Sequence, residues 1–187
     1  MRFDGAPVLG PLSLELGPTE TVAITGPSGI GKSTLLRIVA GLETRYTGTV
    51  AGPDRCAMVF QDPLLLPWRT AADNLRLTAR LSKSEIARSL AEVGLAGLAD
   101  RFPAQLSLGQ QRRLALARAF ALRPSLLLMD EPFVSLDPAM AEEMLQLFER
   151  LRATHPVATL LVTHAEAEAS RLADRTLRLG GQPATLL

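Results

Sequence analysis

Short apolar runs rich in β-branched residues alternate along the chain with longer stretches whose apolar positions recur every three or four residues. Leu12-Ser13-Leu14-Glu15-Leu16 alternates apolar and polar positions and predicts a strand. A turn at Gly17-Pro18 follows, then a second strand at Thr21-Val22-Ala23-Ile24-Thr25. Leu35-Leu36-Arg37-Ile38-Val39-Ala40 predicts a helix closed by Gly41, because the left-handed residue past a last turn suits glycine. Thr47-Gly48-Thr49-Val50 and Ala57-Met58-Val59-Phe60 predict strands around Gly52-Pro53-Asp54, and the proline-bearing stretch 61–69 predicts a loop. Helical spacing covers 71–81 and 84–93, the second capped by Ser82 or Ser84, and then 111–121. Leu126-Leu127-Leu128-Met129 and Thr159-Leu160-Leu161-Val162-Thr163 are apolar enough to predict buried parallel strands. Between them, 138–153 predicts a helix with Pro138 at its first position and Asp137 as its cap. A helix over 165–172 and a strand at Thr176-Leu177-Arg178-Leu179 precede a short tail.

Strand–helix alternation on both sides of a helical block at 71–100 predicts an α/β protein with a mostly parallel sheet and an all-helical insert. In such sheets ligands sit beyond the carboxyl ends of the strands. Three groups fall at such ends: the residues after Thr25, Asp130-Glu131 after Met129, and His164 after Thr163.

At 187 residues the chain fits one domain with room for a core, and 47% hydrophobic with 21% charged residues is ordinary for a globular protein. A net charge of +1 offers no surface built to coat nucleic acid, so no nucleic-acid partner is expected. No uncharged stretch approaches the ~18 residues of a spanning helix. The amino terminus carries charge and glycine where a signal peptide has its apolar core. These features lead to the expectation of a cytosolic protein, with the lone Cys56 as a buried thiol.

Gly26-Pro27-Ser28-Gly29-Ile30-Gly31-Lys32-Ser33-Thr34 fits the phosphate-loop pattern G-x-x-x-x-G-K-[ST] between a predicted strand and a predicted helix. Glycines let backbone N–H groups curl round phosphates, and the helix N-terminus favours negative charge. Lys32 suits the β/γ-phosphates and Ser33 a Mg2+ ion. Only Lys32 and Lys83 are lysines among 20 Lys+Arg, so a lysine here is a departure from the chain's habit of using arginine. Asp130 and Glu131 end an apolar strand, where adjacent carboxylates are costly without a cation or hydrogen bonds. Alternation sends them to different faces, so Asp130 suits Mg2+ and Glu131 a general base for the attacking water. His164 suits a hydrogen-bond donor to the γ-phosphate or a holder of that water, whereas His155, beside Pro156, reads as structural. Gln61, after a strand, can sense both metal and water.

Together these residues resemble the nucleotide-binding subunit of an ABC transporter over nearly the whole chain. The residues from Gly26 to Thr34 match the Walker A motif, Gln61 the Q-loop, and Leu106-Ser107-Leu108-Gly109-Gln110 the signature motif. The run from Leu126 to Asp130 matches Walker B with Glu131 next to it, Ser135-Leu136-Asp137 the D-loop, and His164 the switch histidine. The resemblance implies a P-loop NTPase fold with a small antiparallel β subdomain. It also implies a RecA-like core at about 1–70 and 107–187 and a helical subdomain at about 71–106. It implies ATP and Mg2+, the metal held by Ser33, Gln61 and Asp130, with Glu131, His164 and Lys32 catalytic and Phe3 stacked on adenine. It implies a homodimer in which Ser107, Gly109, Gln110 and Asp137 reach the nucleotide in trans. Partners would be a separate membrane permease docking near 64–69 and, indirectly, a periplasmic binding protein. The stretch from Phe60 to Arg69 is similar to nitrate, sulfonate, taurine and thiamine-precursor importers, which puts the chain on the cytoplasmic face of a membrane.

Three departures from the family pattern stand out. Leu108 replaces a signature glycine and could crowd the trans phosphate or demand an unfavourable torsion. The chain begins almost at Phe3, and the span from Lys32 to Gln61 is short, which together predict a trimmed first strand and β subdomain. Two alternatives stand beside the transporter subunit. One is a non-transport ABC ATPase, although Gln61 and Leu106 are too close for the coiled coil of the DNA-acting members and there is one cassette. The other is a dimerisation module that hydrolyses weakly because of Leu108.

Overall fold

The computed structural model describes residues 2–3, 6–52 and 55–187, and for residues 2, 3, 6 and 7 the backbone alone. Backbone contacts group the chain into two compact units, Met1–Met58 with Ser125–Glu131 and Val157–Leu187, and Val59–Pro124 with Pro132–Pro156.

The first unit holds a six-stranded sheet. Its members are β3 (Thr21–Thr25), β4 (Cys56–Val59), β5 (Leu126–Asp130), β6 (Ala158–Val162), β7 (Arg175–Gly180) and β8 (Thr185–Leu186), after the small antiparallel pair β1 (Arg2–Phe3) and β2 (Ala6–Pro7). The order is β4-β5-β6-β3-β7-β8, with β5–β6, β6–β3 and β3–β7 parallel and β7–β8 antiparallel. Every residue of β6 and the first four of β3 and β5 are buried, as uninterrupted apolar runs in interior parallel strands require. Helix α1 (Lys32–Val39) packs on β5 and β6 through Leu35, Leu36 and Ile38. It closes on Gly41, whose φ of 71° lets the amides of Gly41 and Leu42 return to the carbonyls of Ile38 and Arg37. Register then fixes where the strands stop together: Asp130 and Ile24 both stand opposite Val162. The next residues of all three strands therefore emerge at one edge.

The second unit is helical: α2 (Ala71–Ala79), α3 (Lys83–Glu92), a 3-10 turn (Pro103–Gln105), α4 (Leu108–Ala121) and α5 (Pro138–Thr154). Helix α4 is buried on most sides, with α2, α3 and α5 packed against it. Phe148 of α5 meets Phe120 and Phe133 at ring distances of 6.3 and 6.4 Å. Ser82, the cap of α3, bonds reciprocally with Glu85, and Asp137 caps α5 ahead of Pro138. Helix α6 (Glu166–Leu172) belongs to the first unit and packs on β3 and β7.

Several predicted elements differ. Residues 12–16 keep the expected alternation, with the leucines half-buried against the core, but form no strand; the Glu15 carbonyl accepts from the Arg175 side chain instead of a ladder. Residues 47–50 are exposed and not a strand: Gly48 turns the chain at φ 129°, and none of the four residues is buried. Of the turn predicted at Gly52-Pro53-Asp54, Pro53 and Asp54 lie outside the described residues. Helix α4 begins three residues earlier than the periodicity suggested. The tail contributes β8, a pairing set by contact with β7 that local sequence does not announce. Cys56 is half-buried rather than enclosed, and that burial still pushes its thiol upward.

Candidate active site

The turn after β3 is shaped by close approach. At Gly26 (φ 147°) a Cβ would lie 2.5 Å from the Leu179 carbonyl oxygen, and at Gly31 (φ 112°) 2.9 Å from Leu9 Cδ2. No side chain larger than hydrogen fits either place without moving backbone or core. Gly31 caps α1 with no side-chain bond to the first amides, the groups that a helix leaves without an intrahelical partner. Lys32, buried at the first helical position, bends back and donates to the carbonyls of Gly26 (2.9 Å) and Pro27 (3.0 Å).

The carboxylates meet this loop from the end of β5. Asp130 Oδ1 accepts from the Ser33 hydroxyl at 2.9 Å. Burial pushes the Asp130 carboxyl above its ordinary range; the Ser33 bond opposes the rise and the adjacent Glu131 charge adds to it. A cation beside Asp130 would relieve that cost. Among the described residues no cluster of three His, Cys, Asp or Glu forms a protein cage for a metal. One carboxylate and one hydroxyl, with the remaining positions left to water and phosphate, suit Mg2+, so the residues present fit that ion.

Glu131 turns the other way. Its φ of 47° is left-handed, uncommon for a residue with a side chain, while its N–H still bonds the Val162 carbonyl at 2.9 Å. Its carboxylate lies 3.7 Å from Lys32 Nζ and 3.0 Å from His164 Nδ1. A carboxylate only accepts, so Nδ1 of His164 carries the proton in that bond. Lys32, Ser33, Asp130, Glu131 and His164 thus meet in one unit at the strand ends. A buried ammonium, a desolvated carboxylate and a carboxylate–imidazole pair can bind polyphosphate, hold a divalent cation and take a proton from water.

A sequence profile described as "ABC transporter" matches residues 9–134, two thirds of the chain. The chain belongs to the ABC transporter family. It is an ATP-binding subunit and an ATPase of that family. Among its relatives, aliphatic sulfonates import ATP-binding protein SsuB 1 of Rhodococcus jostii (strain RHA1) is 45% identical over 98% of this chain and 78% of that protein. SsuB 2 of Rhizobium johnstonii (strain DSM 114642 / LMG 32736 / 3841), with the same description, is 47% identical over 95% of this chain and 73% of that protein. A solved structure, titled "Dimeric structure of a post-hydrolysis state of the ATP-binding cassette MJ0796 bound to ADP and Pi", superimposes with a TM-score of 0.77 at 28% identity. That match covers 96% of this chain and 88% of the other.

The other motif residues of this ABC subunit lie in the second unit, apart from Phe3, whose side chain lies outside the described residues. Gln61 is exposed and heads the 61–69 loop. The signature is also a capping box: Ser107 Oγ accepts from the Gln110 amide, and the Gln110 side chain accepts from the Ser107 amide. Leu108 is the first residue of α4 with no positive φ, so replacing glycine costs no torsional strain, and its side chain is exposed. Gly109 is buried where a Cβ would meet Met140 at 3.1 Å. Asp137 caps α5 by accepting from the Met140 amide.

Two residues shape the 61–69 loop without belonging to any motif. Asn74, fully buried in α2, accepts from the Leu66 amide and donates to the carbonyls of Leu66, Arg69 and Thr70. Arg118 in α4 donates to the carbonyls of Leu64 (2.8 Å) and Pro63 (3.0 Å). Leu64 is thereby held at φ 44° with its side chain exposed, near in sequence to Trp68, which is 67% exposed. A polar residue within the apolar stripe of α2 was the available signal for Asn74. For Arg118 there was none.

Proposed function

We propose that this ATPase subunit works as a homodimer on the cytoplasmic face of a membrane, driving import of sulfonated organic anions through a separate permease fed by a periplasmic binding protein. The observation that carries the reading is the convergence of Lys32, Ser33, Asp130, Glu131 and His164 at the carboxyl ends of β3, β5 and β6. The relatives' descriptions as sulfonate import proteins and the dimeric state of the solved cassette support the cargo class and the assembly.

In this reading the amides from Gly26 to Thr34 wrap the phosphates, and Lys32 exchanges its carbonyl partners for phosphate oxygens. Phe3 stacks on adenine. Ser33, Asp130 and Gln61 hold Mg2+, which supplies neutralisation of phosphate charge. Glu131 takes the proton of the attacking water and His164 orients it through their shared bond. Ser107, Gly109, Gln110 and Asp137 complete the site of the opposite copy. Residues 71–106 form a helical subdomain on a RecA-like core of about 1–70 and 107–187, whereas the compact helical unit is wider, Val59–Pro124 with Pro132–Pro156. Leu64 and Trp68 offer the permease an apolar contact, and no helix among the described residues is long and apolar enough to cross a membrane. Titrating the protein with Mg2+-ATP should release heat and shift it to a dimer on sizing. In proteoliposomes with its permease, hydrolysis should rise with sulfonate-loaded binding protein. No heat on mixing defeats the reading, and hydrolysis indifferent to the loaded binding protein defeats the import assignment.

A further inference from the structure

Helix α6 starts without a cap of its own: its N-cap is Ala165, which makes no side-chain bond. The capping work is displaced two residues back. Thr163 Oγ1 accepts from the Ala165 amide at 3.0 Å and donates to Glu168 Oε2 at 2.6 Å. Thr163 is 1% exposed, and its own amide bonds the Ile24 carbonyl at 3.2 Å. One buried hydroxyl therefore ties the end of β6 to the first turn of α6, and His164 sits in the tie. His164 itself is exposed, and the one bond described for its ring is to Glu131, so its aim depends on the backbone that carries it. A carboxylate partly withdrawn from water at Glu168 is costly for a mere helix-end charge, and burial pushes its pKa upward. An acceptor that fixes a turn accounts for its place.

We propose that the Thr163–Glu168 hydrogen bond is a lock that positions His164 toward Glu131, making Thr163 and Glu168 positioning residues for hydrolysis. This rests on the role given to His164 above. Thr163→Val keeps shape and removes the hydroxyl; Glu168→Leu removes the acceptor; Thr163→Ser and Glu168→Gln each keep the bond. Single-turnover hydrolysis should fall by about five- to ten-fold in the first two, the worth of a hydrogen bond, and recover in the conservative pair. Affinity for Mg2+-ATP should stay near that of the unaltered protein, which also reports a folded chain. The double variant Thr163→Val/Glu168→Leu should lose no more than either single one, as two halves of one bond do. With only two histidines in the chain, the ring resonances of His164 should broaden in Thr163→Val but not in Thr163→Ser, His155 serving as reference. If His164→Ala abolishes turnover while Thr163→Val and Glu168→Leu hydrolyse normally, or if their losses add, the lock is overturned and the role of His164 stands. If His164→Ala hydrolyses at the normal rate, that role falls and the lock with it.

Discussion

Replacing Glu131 by glutamine keeps the side-chain shape and removes one charge. The carboxylate stands 3.7 Å from Lys32 Nζ, a gross attraction of about 4 kcal/mol at an effective dielectric of ~20. Little of that is net. Glu131 also repels Asp130, and Lys32 retains its bonds to the Gly26 and Pro27 carbonyls when the charge is gone. The variant should lose ~1–2 kcal/mol of stability, small against the ~5–15 kcal/mol of a typical domain. The chemical step loses far more: removing a positioned base costs ~10²–10⁴-fold, or roughly 3–5 kcal/mol of barrier. Folding and nucleotide binding should therefore survive while hydrolysis stalls, leaving a dimer that persists with Mg2+-ATP. Single-turnover hydrolysis at saturating protein, with sizing in parallel, reads both. Hydrolysis near the rate of the unaltered protein would refute the assignment of Glu131 as base, and a monomer in the presence of Mg2+-ATP would refute the composite site.

Leu108→Gly should destabilise α4 by about 0.5–1 kcal/mol, the helix cost of glycine, read as a lower chemical-denaturation midpoint. Its hydrolysis rate should rise only if the exposed leucine obstructs the trans phosphate; an unchanged or lower rate means the side chain is accommodated. Asn74→Ala strands the buried amide and carbonyls of residues 66–70 and should cost roughly 2–4 kcal/mol, with proteolysis appearing first within that loop. A loss under half a kcal/mol, within the range of ordinary surface substitutions, would mean the loop holds itself. Burial raises the pKa of Glu168 in the folded chain, so its favourable share of stability is present below the unfolded carboxylate range and is lost as pH climbs through the raised value. Glu168→Gln escapes that loss, so its melting temperature should gain on the unaltered protein between acid and neutral pH; a gap independent of pH would contradict the shift.

What local sequence could specify, it did. The strands around Val22, Leu128 and Leu160 were legible because interior parallel strands need unbroken apolar runs, and α5 because Asp137-Pro138 is a start signal complete in itself. The phosphate loop and the residues at the strand ends were legible because their chemistry demands particular side chains at particular spacings. The start of α4 lies ahead of its apolar periodicity and is marked only by Ser107 and Gln110, whose motif spacing is also that of a capping box. Residues 12–16 show the limit of alternation: it reports which face is buried and says nothing of whether a partner strand exists. Asn74 binds residues only 4 to 8 positions away, so its polar place in the apolar stripe of α2 is a local signal. Arg118 reaches carbonyls 54 and 55 positions away, and partners at that range depend on tertiary packing, which no window of sequence contains.

Helix α4 carries the signature serine at its front and, eleven residues on, the arginine that grips the Pro63 and Leu64 carbonyls. At 1.5 Å per residue these points lie ~16 Å apart on one unbroken rod. A tug on the loop therefore has no soft segment along the helix in which to dissipate. If a permease docks at Leu64 and Ser107 meets ATP as proposed, force at Leu64 would arrive at Ser107 as displacement, and ATP drawing Ser107 inward would drag the loop with it.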